Sequence, residues 1–271
     1  STASIGAVRT AYYARLGGSL FSFSSQLPVM VIDSLGTGGL QKDGIDHESW
    51  IYTYAPRTNN APNFNANPEL ISPMTARVRG ASSAEFPKKG YNIKFTDELG
   101  NKRAQPLLDL HAYERWALVA PWSFDFTYIN NSFVYSLSNQ MGRWAPRTRL
   151  AEVFFNADGN DVDSTDYAGI YVVSDRIEAA KGRVDVASLS DNDVAGSAVT
   201  GGYILKIDQK ADDEIGWMTN RGFPNNGYSS VVLVSPKADD VAPAQIDYIQ
   251  DYVQRMENAL FNDRNTGWSQ R

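Results

Sequence analysis

Residues 77–94 read Arg-Val-Arg-Gly-Ala-Ser-Ser-Ala-Glu-Phe-Pro-Lys-Lys-Gly-Tyr-Asn-Ile-Lys, and this stretch carries the main clue to the fold. It holds five cations and one anion, in a chain whose 25 Lys+Arg are outnumbered by 31 Asp+Glu. The segments at its two ends, Met74–Gly80 and Gly90–Phe95, have the pattern of strands. We therefore predict a basic, glycine-containing loop between two strands.

The composition of this loop suits a phosphate group. Gly80 lets the backbone approach a ligand closely, and Ser82 and Ser83 offer hydroxyl donors. Arg79 and Lys88 supply positive charge. A basic loop between two strands covers nucleotide phosphates in kinases, but the same pattern is also typical of a solvated hairpin.

Composition narrows the functional classes. A length of 271 residues, with 42% apolar and 12% aromatic residues, allows one large domain or two lobes around a cleft. The net charge of −6 argues against general nucleic-acid binding. The absence of cysteine excludes disulfides, thiolate metal sites and cysteine nucleophiles. No stretch approaches the roughly 18–20 apolar residues of a membrane span.

Hydrophobic periodicity predicts a mixture of strands and helices after a polar lead-in over residues 1–26. Apolar residues at helical spacing predict one helix over Phe126–Met141 and a second over Pro243–Phe261. The further predicted strands are Leu27–Asp33, Glu48–Tyr54, Arg115–Ala120, Leu150–Asn156, Ala168–Val173, Gly201–Ile207 and Ser229–Ser235. This pattern predicts an α+β fold.

Other polar groups offer weaker alternatives. His47 and His111 are far apart and lack the spacing of a zinc site, so we expect no protein-bound metal there. The acidic loop Asp158–Asp163 breaks the alternation of a calcium loop and lacks its distal glutamate, which favours a solvated turn. The arginines around Trp144 could bind an acidic ligand or tie a loop to the core.

Six stretches share their order and spacing with one known family. They are Val78-Arg-Gly-Ala-Ser-Ser83, Pro87-Lys-Lys-Gly-Tyr-Asn-Ile-Lys94, Met141-Gly-Arg-Trp-Ala-Pro-Arg-Thr-Arg149, Glu152-Val-Phe-Phe-Asn156, Gly169-Ile-Tyr-Val-Val-Ser-Asp-Arg-Ile177 and Gly201-Gly-Tyr-Ile-Leu-Lys-Ile-Asp208. Over roughly residues 27–265 the chain thereby resembles the spore-coat CotH family. One such block would be a weak signal, whereas six in order are specific.

The resemblance implies an atypical protein-kinase-like fold, with a mixed or antiparallel sheet and flanking helices, that binds ATP and magnesium. It implies phosphorylation of Ser or Thr in coat or surface proteins, and a location outside the cell, at the cell surface or in the spore coat. Arg79, Ser82, Ser83, Lys88 and Lys94 would then cradle phosphates, with Lys94 on the α- and β-phosphates. The carboxylate that braces Lys94 would be Asp175, Glu178 or Glu152. Lys206 and Asp208 are further candidates for the cleft.

The sequence departs from the family pattern in three places. Asn130-Asn131 replaces a frequent Arg-Asn, and Asp175 stands where relatives often carry Glu. Relatives also carry catalytic and metal-binding aspartates in a later helical lobe, and this sequence reaches Arg271 without such a stretch. We therefore expect residues 27–271 to be the nucleotide-cradling part of the domain, inactive as a kinase by itself and with its catalytic residues unknown. The alternative function is a non-catalytic structural or adhesive surface module that retains the fold.

Overall fold

A computed structural model describes residues 14–122, 125–221 and 230–261. The chain folds as two compact units, Ser1–Arg176 and Ile177–Arg271. Because the basic stretch 77–94 lies entirely in the first unit, that unit carries most of the predicted site.

The first unit is built around a closed seven-stranded barrel in the order β1-β2-β3-β4-β7-β9-β8. Its strands are β1 (Val29–Asp33), β2 (His47–Tyr54), β3 (Leu70–Arg79), β4 (Gly90–Phe95), β7 (Arg115–Val119), β8 (Thr148–Asn156) and β9 (Tyr167–Asp175). Neighbouring strands are antiparallel, and the parallel pairing of β1 with β8 closes the barrel. A small hairpin of β5 (Gln105–Leu107) and β6 (Leu110–Tyr113) precedes β7.

Alternating side chains fill the barrel interior. In β3, Met74, Ala76 and Val78 are buried, while the residues between them are half-buried on the outer face. The cross-strand partner of Ala76 is Ile93 of β4, so the buried residues of the two strands meet inside. Trp116 of β7 extends the same core.

The outer face of the barrel is divided into an apolar side and a charged side. On β1, β2 and β8 a second cluster covers the outside, with Val31, Tyr52 and Phe154 packed against Leu20 and Phe64. All five residues of β1 are therefore buried, because this strand is covered on both faces. The outer face of β3, β4 and β7 instead carries charged residues.

Helix α1 (Asn130–Gln140) follows β7 and contains no buried residue. Its C-terminal end is fixed by Asn139, whose side-chain amide donates to the Ala145 carbonyl at 3.0 Å and accepts from the Ala145 N–H at 2.9 Å. The chain therefore leaves the helix in one defined direction toward β8.

The second unit contains a three-stranded sheet and one long helix. The sheet has the order β10-β12-β11, from Ile204–Asp208, Ser230–Ser235 and Gly216–Trp217. Helix α2 (Pro243–Phe261) packs Ile249 and Val253 against Val231 of β12. Within the described ranges, no helix is long and apolar enough to cross a membrane.

The predicted mixture of strands and helices is confirmed, since the structure is mixed α+β with few helices. β4 and α2 have the predicted bounds, and α1 is shorter than predicted at both ends. Closure of the sheet into a barrel was not predicted. Of the predicted strand Ser229–Ser235, Ser229 lies outside the described residues.

Candidate functional site

A basic pocket lies on the charged outer side of the first unit. The strand register places Lys94 of β4 directly opposite Arg115 of β7, and Arg77 of β3 opposite Asn92 of β4. Directly opposed residues of an antiparallel pair project from the same face, so these side chains converge outside the barrel. The pocket has a volume of about 210 Å³ and is lined by Asp46, Arg77, Asn92, Ile93, Lys94, Lys102, Arg115 and Arg176.

The residues that line this pocket carry more positive than negative charge. Five of the lining residues are Lys or Arg, and the lining acid is Asp46. The Asp46 carboxylate lies 3.5 Å from Nε of Arg77, whose Nη1 also donates to the Gly44 carbonyl at 3.3 Å. Lys94 and Arg115 carry like charges directly opposite each other in the sheet, so they repel each other. A multivalent anion would offset that repulsion.

A larger groove adjoins the pocket and shares Lys94 and Asp46 with it. The groove has a volume of about 500 Å³, and its lining includes Trp50, Thr75 and the acids Glu48, Asp97 and Glu98. The Thr75 hydroxyl is buried and has no hydrogen-bond partner among the described residues, so it could bond to a ligand. Hydrogen bonds from Asn101 hold the pKa of the Asp97 carboxyl below its usual value. The groove therefore offers hydroxyl and carboxylate groups beside the cations of the pocket.

The lysine Lys88 of the basic loop is used to hold the loop to the barrel. Its ammonium donates a hydrogen bond to the Ile170 carbonyl and lies 4.7 Å from the ring centroid of Tyr171 and 5.0 Å from that of Tyr128. Burial lowers the pKa of Lys88, and the charge of Glu152 partly opposes that shift. These contacts favour a structural role, and the predicted contact of Lys88 with phosphate stays a prediction.

Arg79 and Gly80 also have structural roles. Burial lowers the pKa of the Arg79 guanidinium, and its side chain crosses so close to Gly90 that a Cβ there would lie 3.2 Å from Arg79 Cγ. Gly80 has a φ of +107°, and a Cβ at this residue would lie 2.1 Å from Ser83 Oγ. Ser82 and Ser83 are exposed in a 3₁₀ turn over Ser82–Glu85, and their predicted contact with phosphate stays a prediction.

Asp175, a predicted partner of Lys94, lies on the other face of the sheet. Its cross-strand neighbour is Trp116, whose side chain fills the barrel, whereas Lys94 points outward. The Asp175 carboxylate accepts hydrogen bonds from the Arg147 backbone N–H at 3.0 Å and from Arg147 Nε at 2.8 Å. His111 Nε2 lies 3.6 Å from the same carboxylate and 3.0 Å from Nη2 of Arg147. The structure thus groups Asp175 with an arginine and a histidine.

Glu152 likewise has partners in the first unit. Its carboxylate accepts hydrogen bonds from the Ser25 hydroxyl at 2.9 Å and from the Tyr167 hydroxyl at 2.5 Å. Burial raises the pKa of Tyr167, and the bond to Glu152 raises it further. Glu152 therefore holds Tyr167 in place, and the ring of Tyr167 contacts Phe154 of the outer apolar cluster.

The remaining predicted residues lie in the second unit and form ion pairs there. Glu178 pairs with Arg183, a fully buried arginine, at 2.5 Å. Lys206 Nζ lies 2.6 Å from the Glu214 carboxylate and 3.8 Å from that of Asp208. Their predicted roles in nucleotide binding stay predictions.

The sequence predicted Lys94 as a site residue but not the four other cations of the pocket, which are Arg77, Lys102, Arg115 and Arg176. Arg115 begins a predicted strand, and its opposition to Lys94 depends on the register between β4 and β7. No local pattern in the sequence encodes that register. Among the described residues, no three His, Asp or Glu side chains form a cluster suited to a metal ion, and the acidic turn at Asp158 is hydrogen-bonded within itself.

The fold and the pocket together define a mixed α+β domain with a basic pocket on the outside of a barrel. The sequence model of one family, described as CotH kinase protein, matches residues 76–269. Because this match covers more than half of the chain, the protein belongs to the CotH family. The family is kinase-like and associated with the spore coat. No curated protein matches the chain in sequence.

Proposed function

We propose that this domain binds ATP, with its triphosphate in the basic pocket around Lys94, and serves phosphoryl transfer to Ser or Thr of coat or surface proteins. The observation that supports ATP binding is the convergence of Lys94, Arg77 and Arg115 on one face through the strand register. Membership of the CotH family supports the kinase class. Catalysis of phosphoryl transfer depends mainly on positioning the reacting groups and on neutralising the phosphate charge. These cations would neutralise that charge.

The adjoining groove would hold the ribose and base of such a ligand. Lys94 lines both the pocket and the groove. A molecule whose phosphates lie in the pocket would therefore extend past Lys94 into the groove. Carboxylates of Glu48 and Asp97 could accept hydrogen bonds from ribose hydroxyls, and Trp50 offers an apolar surface. Magnesium is usually bound through phosphate oxygens together with one or two carboxylates, and Asp46, the acid in the pocket lining, would be one of these carboxylates.

The test is calorimetric titration of the chain with ATP and magnesium, for the wild type and for Lys94→Ala. Loss of a charge-assisted contact of about 1.5–3 kcal/mol should weaken binding by roughly ten- to hundredfold. Lys206→Ala is the control, because Lys206 is paired with Glu214 and was also a candidate from the sequence.

Each outcome of this titration has a distinct meaning. Equal affinities for the wild type and Lys94→Ala would refute binding at this pocket, and weaker binding by Lys206→Ala would move the site to the second unit. Absence of ATP binding in the wild type would instead favour a structural or adhesive module that keeps the CotH fold.

A further inference from the structure

Helix α1 has its apolar side turned away from the barrel of the first unit. Ile129, at its N-terminal end, Phe133, Leu137 and Met141 recur every fourth residue, and all four are exposed. Phe133 is 64% and Met141 72% exposed, and no residue of the helix is buried. An amphipathic surface helix normally shows the reverse arrangement, with its apolar stripe toward the core.

The side of α1 that faces the protein is polar and rests on the basic loop. Tyr128, just before the helix, lies under the ammonium of Lys88, and Tyr135 is close enough to Arg79 to influence the pKa of that guanidinium. Ser132 Oγ is buried on this side as well. The polar side of α1 therefore lies toward the basic loop, and the apolar stripe points outward from the first unit.

We propose that the apolar face of α1, made of Phe126, Ile129, Phe133, Val134, Leu137 and Met141, is the interface through which two copies of this chain associate. The segment Thr127–Gly142 contains no charged residue, so two identical faces can meet without like-charge repulsion. The polar residues around the stripe are Asn, Ser and Gln. Amides and hydroxyls both donate and accept hydrogen bonds, which makes such a surface complementary to itself.

The size of the face suits a dimer. Its six side chains expose roughly 700 Å² per copy, if each whole side chain of this kind contributes about 200 Å². Covering both copies would remove up to about 1,400 Å² from water, within the usual range of about 1,200–2,000 Å² for a specific interface. Apolar patches on monomers are rarely this large, unless they bind something. The helix rows spaced by four residues would interdigitate across the two-fold axis.

The first experiment is sedimentation velocity of the full chain at micromolar concentrations, for the wild type and for Leu137→Glu. We expect a dimer for the wild type and at least a tenfold weaker dimer for the variant, because two glutamates would meet near the two-fold axis. Leu99→Glu is the matched control, since Leu99 is 86% exposed in a turn of the same unit and should leave the dimer unchanged. Circular dichroism checks that each variant is folded.

Disulfide trapping gives an independent measurement, because the chain contains no cysteine and any crosslink must use an introduced one. Under an added thiol oxidant, Leu137→Cys should form covalent dimers far faster than Leu99→Cys. A wild type that remains monomeric, or equal crosslinking of the two variants, would overturn the proposal. A monomer that co-sediments with phosphatidylcholine vesicles would also overturn it, because the bilayer would then be the occupant of the face.

Discussion

The opposition of Lys94 and Arg115 makes a quantitative prediction for the ligand-free protein. The two residues are direct cross-strand partners on the outer face, so the variant Lys94→Gln should relieve their repulsion. Two unit charges held about 7 Å apart in water repel each other by roughly 0.6 kcal/mol. Favourable cross-strand pairs contribute about 0.2–1 kcal/mol each, and like charges directly opposite each other destabilise the pair. For a unit of this size we expect the melting temperature of the variant to rise by about 2 °C at low salt.

Salt and ligand distinguish this electrostatic effect from a packing effect. At about 1 M salt the screening length falls to about 3 Å, and the difference between the two proteins should largely vanish. Inorganic triphosphate at about 100 times its dissociation constant should stabilise the wild type by about 2.7 kcal/mol, or roughly 5–10 °C, and should stabilise the variant less.

The assay is thermal unfolding by circular dichroism across salt and triphosphate concentrations. Lys42→Gln is the control, because Lys42 is exposed and donates to the Ala81 carbonyl outside the pocket. A lower melting temperature for Lys94→Gln at low salt would refute the repulsion argument. Equal triphosphate shifts in Lys94→Gln and the wild type would refute the anion site.

Two further predictions concern the barrel itself. Burial raises the pKa of Tyr91 to about 12, so the folded state resists ionisation of a hydroxyl that ionises near pH 10 when unfolded. The stability that this group contributes is complete below about pH 10 and is lost as the pH rises to about 12. In urea unfolding, the free energy of unfolding of Tyr91→Phe should therefore fall less between these pH values than that of the wild type. Tyr252→Phe, at an exposed position, should behave like the wild type. Gly80→Ala should destabilise the first unit by about 1–3 kcal/mol, because its φ is positive and a Cβ would collide with Ser83 Oγ. Gly39→Ala, where a Cβ meets nothing within 4 Å, should be nearly neutral in the same denaturant titration.

The two findings on α1 and the basic loop are related. The composition of the stretch 77–94, which is rich in Lys, Arg, Ser and Gly, predicts a phosphate-binding loop. In the structure, the Lys88 ammonium lies over the ring of Tyr128, just before α1, and Lys89 donates to the Ala84 carbonyl within the loop. Part of the positive charge of the stretch therefore supports a helix, and the cations that face outward, Arg77 and Lys94, line the pocket.

The sequence by itself determined the local elements and the family. The hydrophobic periods of about two residues in a strand and about four in a helix are local patterns that can be read along the chain. They predicted the bounds of β4 and α2 correctly. The six ordered motifs identified the CotH family, which the family match confirms. Lys94 was also found as a candidate, because its place after a basic loop is visible in the sequence.

Only the tertiary structure decided which side chains meet. Barrel closure depends on the parallel pairing of β1 with β8, whose residues are more than 100 positions apart in the chain. The same kind of long-range register set Arg115 beside Lys94 and turned Asp175 to the opposite face. The period of α1 predicted a helix but not the direction of its apolar stripe. That direction is set by contacts with a distant loop, which local periodicity does not encode.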